Sequence, residues 1–242
     1  MRHAARLSTV QATATEVCGG CPLQAQCFLA RPLPHEGSHC SAVVRRRYPI
    51  TPGEKLYRRN TPFSSLFQIC TGSVKTQRET PDGGLVVTGF FLPGDIVGID
   101  AIGDSRHPSD AVAITSTEVC QLDVERLLAH CANMPGLQRW VIEQVGFYMR
   151  RKDTDLSWST GLSAHQRVLR FFLDLQERLV HEAVSPPLSL PMRKQDIARY
   201  LHMTPETFSR NLAQLRRDGL LQFDNDRFVL PDTARARQMT QL

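Results

Sequence analysis

The middle of the chain, from about residue 45 to residue 123, alternates short apolar runs with turn signals rich in Gly, Pro and Asp. Three of these runs have the length and composition of β-strands, at residues 66–69, 85–88 and 111–114. Many short, closely spaced strands are typical of a small antiparallel barrel or jelly roll. We therefore predict such a fold for residues 41–132.

A helical pattern follows, from about residue 134 to residue 159. Its apolar positions mostly recur at three- and four-residue steps, at Leu137, Val141, Val145, Tyr148 or Met149, Leu156 and Trp158. Such a helix could simply pack on its own barrel. A helix this long next to a small β domain favours pairing with a second copy, so we predict a dimerisation helix over residues 133–160. The interrupting run Arg150-Arg151-Lys152 would place like charges across the two-fold axis, so we expect the dimer of the ligand-free protein to be weak.

Residues 194–217 have the pattern of two helices joined by a short turn. Thr204 can cap the second helix, and Pro205 suits its first position because the missing N–H would be unpaired there. Apolar residues occupy the inward positions of both helices, at Ile197, Ala198, Leu201, Phe208, Leu212 and Leu215. After Gly219, two short strands around a polar turn resemble a wing. We predict a winged helix-turn-helix within residues 161–242.

The outer face of the second helix carries three candidate base-reading residues, Glu206, Ser209 and Arg210. They lie in its first two turns, the part of a recognition helix that meets base edges in the major groove. Arg210 can bond both O6 and N7 of guanine, and Glu206 can accept from a cytosine amino group. The alternative is a solvated ion pair between Glu206 and Arg210 on an ordinary helix. The remaining predicted DNA-binding residues are Thr204 and, as phosphate contacts, Arg216 and Arg217.

Three cysteines crowd into ten residues near the start of the chain, at Cys18, Cys21 and Cys27. Short loops can bring their thiolates to one centre, but an iron–sulfur or zinc centre needs a fourth ligand. The candidates for it are Cys40, Cys70, Cys120 and Cys131. Residues 1–40 are rich in Gly, Pro and small polar residues, so we expect this arm to order only around a ligand.

The composition narrows the class of protein. A hydrophobic content of 41% supports a folded core, and a net charge of +5 permits an anionic partner without naming one. Neither a signal peptide nor a membrane-spanning run is recognisable, so we expect a cytoplasmic protein with no membrane partner. Seven cysteines in such a protein favour metal or redox roles over disulfides. We find no nucleophile–base pattern, phosphate loop or carboxylate pair that indicates an enzyme.

The order of barrel, long helix and winged helix-turn-helix resembles the CRP/FNR superfamily of bacterial transcription regulators, an α+β architecture with a cyclic-nucleotide-binding-like barrel. Residues 88–103 and the motif Glu206-x-x-Ser209-Arg210 are similar to its oxygen-sensing fumarate and nitrate reduction branch. The resemblance implies a homodimeric activator that binds promoter DNA at a palindromic TTGAT-type site and works with RNA polymerase. It also implies a 4Fe-4S cluster whose ligands are Cys18, Cys21, Cys27 and, as the distant fourth, Cys120.

The barrel departs from the cyclic-nucleotide-binding relatives. Those relatives offer a Gly-Glu pair to the ribose and an Arg-Ser pair to the phosphate. Here Gly98-Ile99-Asp100 and Arg106-His107-Pro108-Ser109 stand in that region. Without an arginine beside the serine, the phosphate lacks its bidentate partner. This argues against a cyclic-nucleotide effector.

Two alternatives to the iron–sulfur cluster remain open. Zinc could occupy the same thiolates, with DNA binding constitutive, because it accepts four sulfur ligands equally well. A thiol–disulfide switch could instead use a pair such as Cys18 and Cys21. The three other cysteines are expected to be buried as small apolar residues, namely Cys40, Cys70 and Cys131.

Overall fold

The computed structural model describes residues 20–25, 27, 29, 32–33, 37–38, 43–180 and 186–241, with backbone alone at 32–33 and 37–38. Near the N-terminus, β1 (Pro32–Leu33) and β2 (Gly37–Ser38) pair as an antiparallel hairpin. The next eight strands are β3 (Val44–Ile50), β4 (Lys55–Tyr57), β5 (Ser65–Thr71), β6 (Val74–Glu79), β7 (Leu85–Phe91), β8 (Ile96–Val97), β9 (Asp110–Ala113) and β10 (Thr117–Asp123). The predicted strand-rich region is therefore confirmed.

These eight strands form two antiparallel sheets, in the orders β3-β10-β5-β8 and β4-β9-β6-β7. The space between the sheets holds one apolar core, which includes Phe67 and Ile69 of β5 and Val119 of β10. Because side chains alternate along a strand, the intervening residues of β5 point to the outer face of the first sheet. That face is also covered, which explains why six consecutive residues of β5 are buried.

Two helices cover this outer face, α1 (Val124–Cys131) and α2 (Pro135–Gly161). The Asp123 carboxylate caps α1 by accepting a hydrogen bond from the Arg126 N–H at 3.1 Å. Leu137 and Trp140 of α2 are buried against outward residues of the first sheet. The long helix predicted from residue 134 is confirmed.

The apolar stripe predicted for α2 divides into two faces. Residues that pack toward the helix's own barrel are Leu137, Trp140, Val141, Val145 and Tyr148. By contrast, Met149 and Leu156 are 64% and 63% exposed, and Ile142, which was not in the predicted stripe, is 64% exposed. Assigning the whole stripe to a partner was therefore wrong. Helical periodicity alone cannot show which apolar residues face the barrel and which are exposed, because both faces of the helix carry apolar side chains.

The C-terminal region contains α3 (Ala164–Val180), β11 (Leu188–Ser189), α4 (Lys194–Tyr200), α5 (Pro205–Arg217), β12 (Gln222–Asp224), β13 (Arg227–Val229) and α6 (Thr233–Met239). Helices α4 and α5 and the hairpin β12–β13 confirm the predicted winged helix-turn-helix. Among the helices of the described residues, none combines the length and apolar character needed to cross a bilayer.

The barrel and the C-terminal region share a continuous interface. Phe90 of β7 packs edge-on against Phe171 and Tyr200, with ring centroids 6.0 and 5.2 Å away. A buried ion pair joins Lys75 of β6 to Asp196 of α4 at 2.7 Å. Buried charges of this kind are costly unless they are paired, so this contact fixes how the two parts fit together.

Candidate functional site: a thiol cluster and a recognition helix

The arm cysteines that the structure describes lie against the outer face of the first sheet. Cys21 and Cys27 are partly buried and pack on the apolar cluster that contains Cys70 and Cys120. Cys120 of β10 is itself 7% exposed. Three of the four predicted ligands therefore share one neighbourhood. Cys18 lies outside the described residues, as does Cys40.

Burial controls the protonation of the two thiols on the first sheet, Cys70 and Cys120. It raises the pKa of Cys120 to about 12, the nearby Cys27 and Cys21 thiols act in the same direction, and the Arg47 guanidinium opposes them. Burial likewise raises the pKa of Cys70, to which the adjacent Cys21 adds. Without a ligand, Cys120 and Cys70 are therefore neutral thiols. A bound metal would have to displace the proton of any cysteine that ligates it.

The described thiols are candidate metal ligands. Within the described part of the chain, no three His, Cys, Asp or Glu side chains are already arranged as metal ligands. The chemistry of the donors nevertheless fits, because Cys21, Cys27 and Cys120 are soft sulfur donors in one mainly apolar cluster of side chains. The remaining predicted donor, Cys18, is only three positions before Cys21.

Two residues of β5 lie beside the arm at this site. Cys70 was one of the candidates for the fourth ligand, whereas Gln68 was not recognised from the sequence. Cys70 is 3% exposed, so its predicted burial is confirmed, but it also lies beside Cys21. Gln68 is buried on the same face, and the Cys27 thiol donates a hydrogen bond to its Oε1 at 3.3 Å. The signal that could have revealed Gln68 is its polar side chain within a strand whose neighbouring positions are apolar and buried. Cys131 is only partly buried, at the end of α1, so the prediction that it is buried was wrong.

Helix α5 presents an exposed polar face and a buried apolar one. Thr204 caps it as predicted, since its hydroxyl accepts a hydrogen bond from the Thr207 N–H at 3.2 Å, and Pro205 is the first helical residue. The buried residues are Phe208, Leu212 and Leu215. The six predicted DNA-binding residues are all exposed, namely Thr204, Glu206, Ser209, Arg210, Arg216 and Arg217.

The charged pair on α5 is not engaged in an ion pair. The Arg210 guanidinium instead donates to the Thr207 hydroxyl at 3.3 Å. Hydrogen bonds from its own backbone N–H and from Thr204 lower the pKa of Glu206, and the charge of Arg210 adds to this effect. Glu206 is therefore an ionised acceptor and Arg210 a charged donor on the same outer surface. Both side chains are thus free of a mutual ion pair and can contact base edges, which an ion pair between Glu206 and Arg210 would hinder.

In the barrel, the region where relatives bind a cyclic nucleotide contains a carboxylate. The Ser109 hydroxyl donates to Asp100 Oδ2 at 3.4 Å. Arg106 is directed elsewhere, with its guanidinium donating to the backbone carbonyl of Asn60 at 2.5 Å. His107 stacks on Tyr57 with ring centroids 3.6 Å apart, and burial lowers the pKa of His107 to about 4. Ser109 is therefore hydrogen-bonded to a carboxylate, and His107 is a neutral ring rather than a cation.

Comparison with known proteins agrees with this architecture. Residues 48–133 match the cyclic nucleotide-binding domain family, and residues 166–239 match the Crp-like helix-turn-helix domain family. The chain is 30% identical over 205 residues to the fumarate and nitrate reduction regulatory protein of Escherichia coli, covering 84% of this chain and 82% of that protein. It is 30% identical over 223 residues to the transcriptional regulatory protein btr of Bordetella pertussis, covering 92% of each.

Among solved structures, FixK2 from Bradyrhizobium japonicum is similar with a TM-score of 0.74 and 26% identity. The similarity covers 81% of this chain and 97% of that one. In this chain the match to the cyclic nucleotide-binding domain therefore precedes the match to the Crp-like helix-turn-helix domain. The chain belongs to the CRP/FNR family of DNA-binding transcription regulators.

Proposed function

We propose that this regulator responds to oxygen or redox state through a 4Fe-4S cluster and binds a palindromic TTGAT-type promoter site as a homodimer, acting with RNA polymerase. The proposed ligands are Cys18, Cys21, Cys27 and Cys120. One observation carries the proposal. Cys21 and Cys27 of the arm, Cys120 and the first half of α2 all pack into a single apolar cluster on the first sheet. The similarity to regulators named for fumarate and nitrate reduction supports the choice of cofactor.

This packing gives the arm a way to influence the dimer helix. When bound, the cluster would supply an oxygen-labile bond between the arm and β10. The arm would then be fixed against the apolar cluster of side chains in which Leu137 and Trp140 of α2 are buried. Loss of the bond would release Cys21 and Cys27 from their ligand positions and remove part of the support for α2. In this proposal, α2 therefore has two states, one supported by the ligated arm and one without that support.

The exposed face of α2 is the proposed dimer seam. Ile142, Met149 and Leu156 are exposed and follow one another at seven-residue intervals. A seven-residue apolar repeat is the pattern of a coiled-coil seam, in which each helix inserts side chains between those of its partner. A second copy of the same helix is the occupant that this repeat fits.

The basic run on α2 opposes this dimer less than the sequence predicted. Arg151 turns toward its own barrel, where it donates to the Phe90 carbonyl at 2.8 Å. Lys152 donates to the Thr88 carbonyl and lies 3.8 Å from Asp155. Only Arg150 of the three is exposed. Local acceptors of the same chain thus hold two of the three basic side chains, which leaves Arg150 as the exposed charge of the run.

We expect Met149→Glu to weaken the anaerobic, iron-loaded dimer about a hundredfold. Two apolar side chains would lose burial worth about 1.5 kcal/mol each, and two charges would face each other. Sedimentation across a protein concentration series measures the change. The matched control is Leu128→Glu on α1, because Leu128 is also an exposed large apolar residue, at 59%. Equal effects of the two substitutions would contradict the proposed seam.

A charged link connects α2 to the DNA-binding region. The Asp95 carboxylate lies 3.4 Å from Arg151 of α2 and 2.5 Å from Arg178 of α3. Helix α3 packs in turn against the recognition helix α5 through the shared apolar core. A movement of α2 would thus act on the position of α5. In a dimer, this position sets the separation of the two recognition helices, which must span about one turn of DNA.

The barrel itself is not proposed to bind a cyclic nucleotide. The Ser109 hydroxyl already donates its hydrogen bond to the Asp100 carboxylate. The Arg106 guanidinium donates to the backbone carbonyl of Asn60. An anionic phosphate placed beside Ser109 would therefore meet a carboxylate instead of a guanidinium. The arm remains the proposed sensing element.

Anaerobic purification tests the proposed function. We expect a brown protein with roughly four iron and four sulfide per chain, tight binding to a TTGAT palindrome, and loss of both colour and binding in air. Zinc, iron and sulfide are measured together with the visible absorption spectrum. A colourless protein with one zinc per chain and air-insensitive DNA binding would establish the zinc alternative. A metal-free protein that binds DNA according to its thiol oxidation state would establish the disulfide alternative.

A further inference from the structure

The outer face of β5 supplies a buried amide directly beneath the arm. Gln68 is 7% exposed and is the register partner of Cys120 on β10. Its Oε1 accepts the hydrogen bond from the Cys27 thiol at 3.3 Å. The flanking outward residues of the strand, Leu66 and Cys70, belong to the apolar cluster. Gln68 is thus a polar group placed between an arm cysteine and the barrel cysteine.

A buried amide in this position needs a partner, because an unsatisfied one costs about 1–3 kcal/mol. With Cys27 protonated, the carbonyl end of the amide accepts its S–H. A ligating thiolate carries no proton and can only accept. The amide has both a carbonyl and an NH₂ group, so a half-turn about its last torsion presents the NH₂ to the sulfur. Gln68 can therefore satisfy Cys27 in both states.

We propose that Gln68 is a positioning residue for Cys27, holding the thiol in the free protein and donating an N–H to its sulfur in the iron-loaded protein. This inference rests on the proposed function. A hydrogen bond to a ligand sulfur stabilises the more electron-rich state, which raises the reduction potential and resists oxidation. The amide would also hold the arm close to Cys120 before iron is bound.

Gln68→Met removes the donor while keeping a side chain of similar length. Methionine suits the apolar surroundings, so we expect the fold to be retained. Gln68→Glu keeps the shape but would place a second negative charge beside the thiolate. The matched control is Gln121→Met on neighbouring β10. Gln121 pairs with Phe67, whose side chain faces the space between the sheets, and it donates to the Ser65 hydroxyl at 2.8 Å.

The full-length variants are loaded with iron and sulfide anaerobically, and three quantities are measured: iron per chain, reduction potential and decay of visible absorption in air-saturated buffer. For Gln68→Met we expect normal loading, a lower potential and decay about tenfold faster than in the parent. Gln68→Glu should decay faster still, and Gln121→Met should match the parent. Thermal unfolding confirms that all variants are folded.

Two results would overturn the inference. Gln68→Met could decay like the parent at an unchanged potential, or Gln121→Met could accelerate decay equally. In each case the parent would still carry its cluster, so the proposed function would stand. A parent that binds no iron would remove the proposed function and this inference together.

Discussion

Cys120→Ala is expected to abolish the iron chromophore and oxygen-dependent DNA binding while leaving the two sheets folded. Cys120 is the only proposed ligand on the barrel. It lies within the apolar cluster of side chains against which Cys21 and Cys27 pack. Without its sulfur, the arm ligands would have no fourth thiolate to close the site. The loss of one small buried side chain should cost the fold only about 1 kcal/mol. Iron content, visible absorption and thermal unfolding of anaerobically purified protein measure these effects.

Two other cysteines provide the controls for this experiment. Cys131→Ala removes a partly buried thiol at the end of α1 and should leave iron binding intact. Cys70→Ala is the more demanding control, because Cys70 lies beside Cys21 on the same face as Cys120. We expect it to retain a full cluster. Retention of iron by Cys120→Ala together with its loss from Cys70→Ala would assign the fourth ligand to Cys70 instead.

The sequence was sufficient to predict those parts of the fold that depend on local patterns. The cap at Thr204, the inward positions Phe208, Leu212 and Leu215, and the exposed positions of α5 follow from helical periodicity, and the structure confirms them. The strands were likewise predicted from local patterns, namely short apolar runs separated by turn signals. Helix α3 was not predicted, although Val168, Phe172 and Leu175 have helical spacing and are buried in the structure.

What the sequence could not provide is the pairing of distant segments. Whether an apolar residue of α2 faces the barrel or a partner depends on how the helix lies on the first sheet. Val145 and Met149 are therefore indistinguishable by spacing, yet only Met149 is exposed. The proximity of Gln68 to Cys27 likewise depends on where the arm meets β5, 41 residues along the chain. Register between strands, in turn, decided that Gln68 faces Cys120.

The charge run of α2 shows the same limitation at the level of side chains. Periodicity placed Arg150, Arg151 and Lys152 in a polar interruption of the helix. Carbonyl groups of β7 and the Asp95 carboxylate draw Arg151 and Lys152 to the barrel. Long basic side chains reach acceptors several ångströms from their own backbone, so their partners follow from the tertiary fold rather than from helical phase.

Arg210→Ala is expected to remove the preference of the dimer for the G·C pair of a TTGAT half-site. Arg210 is exposed on the first turns of α5, and its described contact is a surface hydrogen bond to Thr207 at 3.3 Å. Exchanging this bond for two to guanine O6 and N7 should therefore cost little. Losing that pair of bonds should reduce discrimination by roughly 1–3 kcal/mol per half-site, and a dimer reads two half-sites.

The measurement compares binding of parent and variant to two palindromes, one with the TTGAT half-sites and one with their G·C pairs inverted. Arg216→Ala is the matched control, since Arg216 is an equally exposed arginine on the last turn of the same helix. As a phosphate contact it should weaken both palindromes alike and flatten the salt dependence of binding. Arg210→Ala should instead weaken the TTGAT palindrome most and bring the two affinities together. If Arg210→Ala kept the parent's preference between the two DNAs, Arg210 would not be the base reader, and its place beside Glu206 would be structural.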